Sequence, residues 1–392
     1  MSIQVPIVWG TILFLFGLIL GQQCPSILYL PAAVAALVTG TLLRQHRRII
    51  VISTIIFWFL LGCSRMSLSV LSPQREANPA MVNLRQNAKE KVHQLIRRME
   101  SVGLRDAEAL SLTSAMLLGE RQGLRREVKS AYSRTGTAHL LALSGLHLGV
   151  LYSLFHLLLL RWVRTTRWRW HALPLVLILL WGYALLTGFP VSLIRASAML
   201  SIFTIATVAQ RSQPSVHSLA AAALLILLFQ PTAVTDVSFM LSFTSVFFIL
   251  RLYSPLYNHY RHLFGGWRWL LKPLGVTLAA QIGTAPLVMY SFHIFPVGAP
   301  LINLLLIPFT TGIIYTGLVT ILWPQPLLVK ALTMLTKGQI SLIAWWNEFP
   351  TLLSGIYIKE WAVVLFYLLL LVATEALPHF LDRDWPVRVK VL

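Results

Sequence analysis

The sequence predicts an all-α, polytopic integral membrane protein with about 10–13 transmembrane helices. Three observations predict it. Of 392 residues, 57% are hydrophobic and only 11% are charged; the mean hydropathy is +0.72; and apolar stretches of about 20 residues, the length that crosses about 30 Å of hydrocarbon, recur along the chain. A soluble domain carries roughly a quarter charged residues. Water is therefore not the main solvent of this chain.

Early spans are predicted over 5–22, 27–43 and 49–70. The first lacks a basic n-region and an A-x-A-like cleavage site, so it reads as a retained span rather than a leader. Residues 1–72 thus form an N-terminal group of about three helices. Cys24 and Cys63 are the two cysteines, too few for a disulfide framework or a thiolate metal site.

The pattern then changes. Residues 74–138 hold 12 Lys and Arg and 7 Asp and Glu. Leu84, Ala88, Val92, Leu95, Ile96 and Met99 recur at helical spacing opposite Lys89, Lys91, Arg97 and Arg98, which predicts an amphipathic helix. Leu124, Val128, Ala131 and Tyr132 predict a second, next to Arg125 and Arg126. Residues 73–138 are expected to be an extracytoplasmic region of basic amphipathic helices, and those six cations to be candidates for capturing an anionic partner, nucleic acid or lipid.

A membrane core is predicted over 139–377, with spans at 139–160, 172–187, 191–209, 216–232, 237–252, 269–289, 297–323 and 361–377. Residues 338–356 are apolar but interrupted by Asn347, Glu348 and Pro350, so crossing, re-entrant and interfacial readings stay open there. The net charge of +19 suits nucleic acid, anionic lipid or orientation by the positive-inside effect. Position decides: the turns on one side hold 12 Lys and Arg and no acid, and those on the other hold only Asp236. This predicts a bacterial inner-membrane protein with the N-terminus and the 378–392 tail in the cytoplasm.

The most specific motif is Leu117-Leu118-Gly119-Glu120-Arg121 followed by Thr135-Gly136-Thr137-Ala138-His139-Leu140-Leu141-Ala142-Leu143-Ser144-Gly145-Leu146-His147-Leu148-Gly149. Further on stand Leu186-Thr187-Gly188-Phe189-Pro190, Ser192-Leu193-Ile194-Arg195-Ala196, and Asp236-Val237-Ser238-Phe239. Ala280-Gln281-Ile282-Gly283-Thr284-Ala285-Pro286 and Asn303-Leu304-Leu305-Leu306-Ile307-Pro308 complete the series. In this order, over about residues 110–320, they resemble the ComEC family of competence proteins, with Glu120 where Asp is usual. The resemblance implies a membrane channel, or channel core, that translocates single-stranded DNA into the cytoplasm during natural transformation. It also implies single-stranded DNA and the bilayer as partners, with a separate DNA receptor, nuclease and cytoplasmic motor. The expected form is a short one. Only the helices of 74–138 stand where members carry an OB-like domain, and the chain has no H-x-H-x-D-H cluster of the metallo-β-lactamase-like nuclease domain.

Read without the family, the same residues keep more than one meaning. His139 and His147, eight apart on an expected helix, point about 80° apart, so they read as polar residues bonded within the bundle or as pore lining, and poorly as a metal pair. Ser144-Gly145 suits close backbone approach or a helix break. Arg195 and Asp236 are costly intramembrane charges, read as snorkelling to the interface or as a channel rim or buried pair. Gln281, Thr284 and Asn303 suit interhelical hydrogen bonds, and Pro286, Pro300 and Pro308 suit broken helices. Together His139, Ser144, Gly145, His147, Arg195, Asp236, Gln281, Thr284 and Asn303 are the channel or gate candidates. His259-Tyr260-Arg261-His262 lacks a third metal ligand, and the aromatics and arginines of 162–170 read as an interfacial belt or a nucleic-acid contact. No metal or cofactor is expected, and no catalytic residue: there is no P-loop and no nucleophile–base spacing in the spans. The alternative function is a small-molecule or lipid transporter built on the same core.

Overall fold

The computed structural model describes residues 5–26, 28–42, 47–71, 79–101, 103–104, 106–160, 166–209, 216–260, 268–323, 325–349 and 352–381. Among these are fifteen α-helices: α1 (Val5–Gln23), α2 (Tyr29–Leu42), α3 (Arg47–Leu71), α4 (Pro79–Ser101), α5 (Ala107–Leu118), α6 (Arg126–Arg134), α7 (Gly145–Phe155), α8 (Thr166–Leu186), α9 (Val191–Val208), α10 (Val216–Phe229), α11 (Val237–Tyr260), α12 (Arg268–Phe292), α13 (Ala299–Leu322), α14 (Pro326–Trp346) and α15 (Glu360–Leu381). Strands β1 (Ile294–Pro296) and β2 (Leu352–Ser354) pair antiparallel, Ile294 opposite Ser354 and Pro296 opposite Leu352.

The all-α polytopic class holds. Seven helices, α3, α8, α9 and α11–α14, contain stretches long and apolar enough to cross a membrane. Five shorter apolar stretches lie in α1, α5, α7, α10 and α15. The turns at 43–46, 161–165, 210–215 and 261–267, on which much of the positive-inside reading rests, lie outside the described residues, as do Arg261, His262 and the 382–392 tail.

Two compact units divide the chain: Met1–Pro79 with Gln210–Phe243, and Ala80–Ala209 with Thr244–Leu392. In the first, α1 lies against α3 through glycines. A Cβ on Gly17 would overlap the Phe59 carbonyl, and one on Gly62 the Phe14 carbonyl. Small residues give apolar helices their close approach where hydrophobicity alone offers no preference over lipid. Arg65 finishes this unit by donating from Nε to the Leu228 carbonyl at 2.6 Å and from Nη2 to the Phe229 carbonyl at 3.0 Å. These are the last carbonyls of α10, which its own helix leaves unpaired.

The second unit has two apolar cores. One joins the buried stripe of α4 (Val92, Met99) to α5 (Leu112, Met116), α13 (Ile302, Leu306, Ile313) and α14 (Leu332, Ile343). The other joins Leu148 of α7, Val176 and Leu180 of α8, and Leu193 and Ala196 of α9. The α4 stripe follows the predicted spacing, except that Leu84 is exposed.

Four expectations are corrected. The span over 139–160 is a 3-10 turn at Ala138–Leu140, non-helical chain to Ser144, α7, and a π-helical turn at His156–Leu160. The ambiguous 338–356 is the second half of α14, a turn after Asn347 and then β2. Pro286 and Pro308 lie inside continuous helices, and Pro300 opens α13, so none of the three breaks a helix. Within the polar stretch of 74–138, α5 is no surface helix: all of Leu112–Leu118 is buried, because its own face is apolar and α13 approaches closely at Gly317.

Candidate functional site

Helix endings build the site. Asp106 caps α5, its Oδ1 accepting from the Glu108 and Ala109 amides at 3.1 and 3.0 Å. Gly119, in the left-handed region at φ 79°, ends α5. Its amide returns to Ala115 and that of Glu120 to Ser114, a glycine-dependent stop. A Cβ on Gly119 would lie 2.6 Å from Leu143 Cδ1, so the first motif sits against the second. Tyr183 of α8 adds a hydrogen bond from its hydroxyl to the Leu117 carbonyl at 2.8 Å.

Thr135-Gly136-Thr137 closes α6 in the same way. Gly136 has φ 72°, the Thr137 amide returns to the Tyr132 carbonyl at 2.9 Å, and the two threonine hydroxyls are 2.7 Å apart and buried. A Cβ on Gly136 would overlap Pro296 of β1. Gln281 of α12 donates from Nε2 to the carbonyl of the same Pro296 at 2.7 Å. Two motifs distant in sequence therefore converge on one proline, Pro296.

The segment Leu140–Ser144 bridges the two apolar cores: Leu140 and Leu141 lie in one and Leu143 in the other. Ser144 is extended (φ −128°, ψ 173°) and opens α7. The His147 imidazole turns back to this opening, its Nδ1 3.3 Å from the Ser144 amide nitrogen and 3.0 Å from Ser144 Oγ. Glutamate or glutamine usually plays this part three residues into a helix. An Nδ1 that accepts from the amide leaves the proton on Nε2, and His147 Nε2 is buried with no hydrogen-bond partner among the described residues.

Helix α9 supplies the facing wall. Ser192 Oγ donates to the Leu143 carbonyl at 2.6 Å, and Ala196 stands 3.6 Å from where a Cβ of Gly145 would be. Residues three and four apart share a helix face, so Arg195, only 3% exposed, lies on the side of α9 that meets 143–145. Phe189, a non-glycine residue at φ 54° just before Pro190, sets the entry angle of α9. Strain of about 1–3 kcal/mol attends such a conformation, and it is sustained where the surroundings fix it. His293, at φ 57°, does the same ahead of β1.

His139 is solvent-exposed. Its ring is hydrogen-bonded to the Gly136 backbone and lies within electrostatic reach of His147. The non-helical link between them removes the premise of an 80° separation. The structure thus brings His139, Ser144, Gly145 and His147 to one place, with Arg195 buried on the facing helix α9 and Gln281 tied in through Pro296.

The remaining candidates differ. Thr284 donates to the Ala280 carbonyl of its own helix at 2.9 Å. Asn303 has a buried Oδ1 with no partner among the described residues. Asp236 is exposed and accepts from the Ser238 amide at 2.9 Å, at the start of α11. Lys89, Lys91, Arg97, Arg98 and Arg126 are exposed, while Arg125 is held by Glu108 at 2.6 Å. Sequence reasoning missed Lys337 of α14, whose ammonium meets Asp106 Oδ2 at 2.6 Å. It also missed fully buried Gln339, which donates to Thr310 Oγ1 at 3.2 Å. A lysine and a glutamine in an apolar helix were the available signal.

Residues 116–378 match the family described as "Competence protein". The chain belongs to that family. Among curated relatives, "ComE operon protein 3" of Bacillus subtilis is 32% identical over 213 residues, 54% of this chain and 26% of the relative. "Competence protein ComA" of Neisseria gonorrhoeae is 30% identical over 220 residues, 53% of this chain and 30% of the relative. "Recombination protein 2" of Haemophilus influenzae is 27% identical over 297 residues, 65% of this chain and 37% of the relative. The chain spans well under half the length of each of these three. No solved structure matches. The family match covers every motif gathered at the site, and it bears out the resemblance on which the competence reading rests. Family membership and the apolar helices together make this a multi-pass membrane protein of the competence family.

Proposed function

We propose that this chain forms the membrane core of a channel that passes single-stranded DNA into the cytoplasm across the bacterial inner membrane, with both termini on the cytoplasmic side. One observation carries the reading. Arg195, buried on α9, and His147, buried at the start of α7, flank a non-helical link between two apolar cores. Backbone without helical pairing, and charge inside a membrane protein, persist where they line a polar route or are held by other protein groups. A polyanion in transit needs such a route, and the exposed His139 ahead of the link extends it. The exposed cations of α4 are suited to collect the strand electrostatically. The chain conducts and does not hydrolyse; pulling force and strand degradation come from separate partners.

Deletion of the gene, followed by exposure to labelled DNA, tests the reading. Loss of label from the cytoplasm with DNA still bound at the surface is expected, and Arg195→Leu at normal abundance should reproduce it. Undiminished entry in the deletion strain overturns it, and uptake of a small solute or lipid lost in its place would move the core to the transporter class.

A further inference from the structure

We propose that one face of α14, carrying Lys330, Lys337 and Ser341, is the wall of a water-filled recess that takes the phosphates of the passing strand. The argument begins with position. Helix α14 has 21 residues and is apolar enough to cross a membrane. Lys337 is the twelfth of them. At 1.5 Å per residue it stands about 16 Å from one end of the helix and about 14 Å from the other. Its stem reaches on the order of 6 Å, too short to carry the ammonium from there to either interface.

Yet the Lys337 side chain is 56% exposed, and its partner Asp106 is 29% exposed. An ion pair so open cannot face hydrocarbon, where each charge would lose its hydration. Water must reach it. A second pair, Arg125 with Glu108 at 2.6 Å, joins the N-cap of α6 to the first turn of α5, two residues beyond Asp106, and is as open, at 67% and 34%.

The exposed residues of α14 extend the point along the helix. Lys330, Lys337, Ser341 and Glu348 are exposed and recur, with exposed Leu327, Met334 and Trp345 between them, every three or four residues, so they make one line in which polar and apolar side chains interleave. Val329, Leu332, Thr336, Gln339 and Ile343 are the buried side, packed on α5 and α13. The neighbouring α15 shows the contrast: its exposed Leu365, Leu368 and Val372 are wholly apolar, as lipid requires. Lys330 and Lys337 are seven residues apart, about 10 Å of rise, so the two cations lie along one side of the recess. This assignment of phosphate rests on the DNA-channel reading above; the water-filled recess does not.

Single cysteines at Met334, Lys337 and Ser341, in a Cys24→Ser, Cys63→Ala background, test the recess with a charged maleimide applied to whole cells and to inverted membrane vesicles. Leu332 and Ile343 serve as buried controls and Leu368 as the lipid control. We expect labelling at 334, 337 and 341 and none at the controls. Absence of labelling at all three from both sides, in protein present at normal abundance, overturns the recess; so does equal labelling of Leu368. Ser341→Cys is the mildest change and keeps the test intact if the lysine variant fails to insert. No DNA enters this assay, so its failure is distinct from failure of the channel reading.

The phosphate contact is tested by exchanging the pair, Lys337→Asp with Asp106→Lys. An exchanged protein at normal abundance that still imports less DNA supports a contact made by Lys337 itself. Full recovery of import by the exchange would reduce the pair to a structural tie and overturn that part.

Discussion

Gly136 rests directly on Pro296, with no room for a Cβ between them. The turn after α6 is thereby locked to β1, and through the Pro296 carbonyl to Gln281 of α12. Substitution Gly136→Ala should cost about 1–2 kcal/mol for the left-handed backbone and about 1–3 kcal/mol more for overpacking. Gly149→Ala, in helical backbone with open space around it, should be neutral. Thermal unfolding in detergent compares the two, and equal midpoints would remove the lock.

His147 serves both as a helix cap and as a buried polar group, and two substitutions separate these parts. His147→Gln keeps a side chain that can meet the Ser144 amide, so insertion should stay near normal while DNA entry falls. His147→Leu leaves that amide unmet and should lower abundance as well. If the glutamine variant imports DNA normally, the imidazole matters for capping alone.

Ser192→Ala removes the donor to the Leu143 carbonyl at 2.6 Å. A loss of about 1 kcal/mol is expected from one such bond, with greater protease cutting near residue 143 as the local sign that α9 no longer holds the link. A stability change without that cutting would assign the effect elsewhere on α9.

The cations of α4 make a prediction in salt. Replacing Lys89, Arg97 or Arg98 by alanine should weaken binding of DNA to the purified protein. Each lost phosphate contact should flatten the dependence of log affinity on log salt by about 0.7 for a single strand or about 0.9 for a duplex. An unchanged slope in all three variants excludes α4 from capture.

Asp106 makes a prediction in pH. The hydrogen bond from Lys337, then the amide of Ala109, hold its carboxyl below the usual carboxylate range. A group with a depressed folded value contributes stability above its unfolded value, near 4, and loses it as pH falls through the lower folded one. The thermal midpoints of the native protein and Asp106→Asn should therefore differ at pH 6–7 and converge below about pH 4. Curves that stay parallel throughout would show the pair to be inert.

How far the sequence could be read depended on whether a feature was local. Spans such as α8, α9 and α12 follow from runs of apolar residues, and the stripe of Ala88, Val92, Leu95, Ile96 and Met99 follows from spacing, because both depend on neighbours along one helix. The break at 141–144 was legible only at its end, where Ser144-Gly145 suited either close packing or a helix break. Leu-Ala-Leu is as good a helix former as what flanks it, and the link is held by Ser192 and His147 from outside it. The first half of α14 was missed because Lys330 and Lys337 dilute its apolar signal. The partner that explains Lys337, Asp106, lies far away in the chain. Competence motifs marked where the site would be; their glycines and threonines act there chiefly as helix stops, which no motif states.

The pairing of Ile294–Pro296 with Leu352–Ser354 sets an order of assembly. The ribosome makes β1 first, and both α13 and α14 must follow before β2 exists. Until then β1 is an open edge, with backbone groups that any extended chain can join. Closing so long a loop costs only slightly more than closing a short one, so the consequence is one of timing. Gly136 and Gln281 find Pro296 early in synthesis and can hold the edge in register while it waits. A nascent chain stalled before residue 352 would keep that edge exposed, giving membrane quality control a visible mark of an unfinished protein.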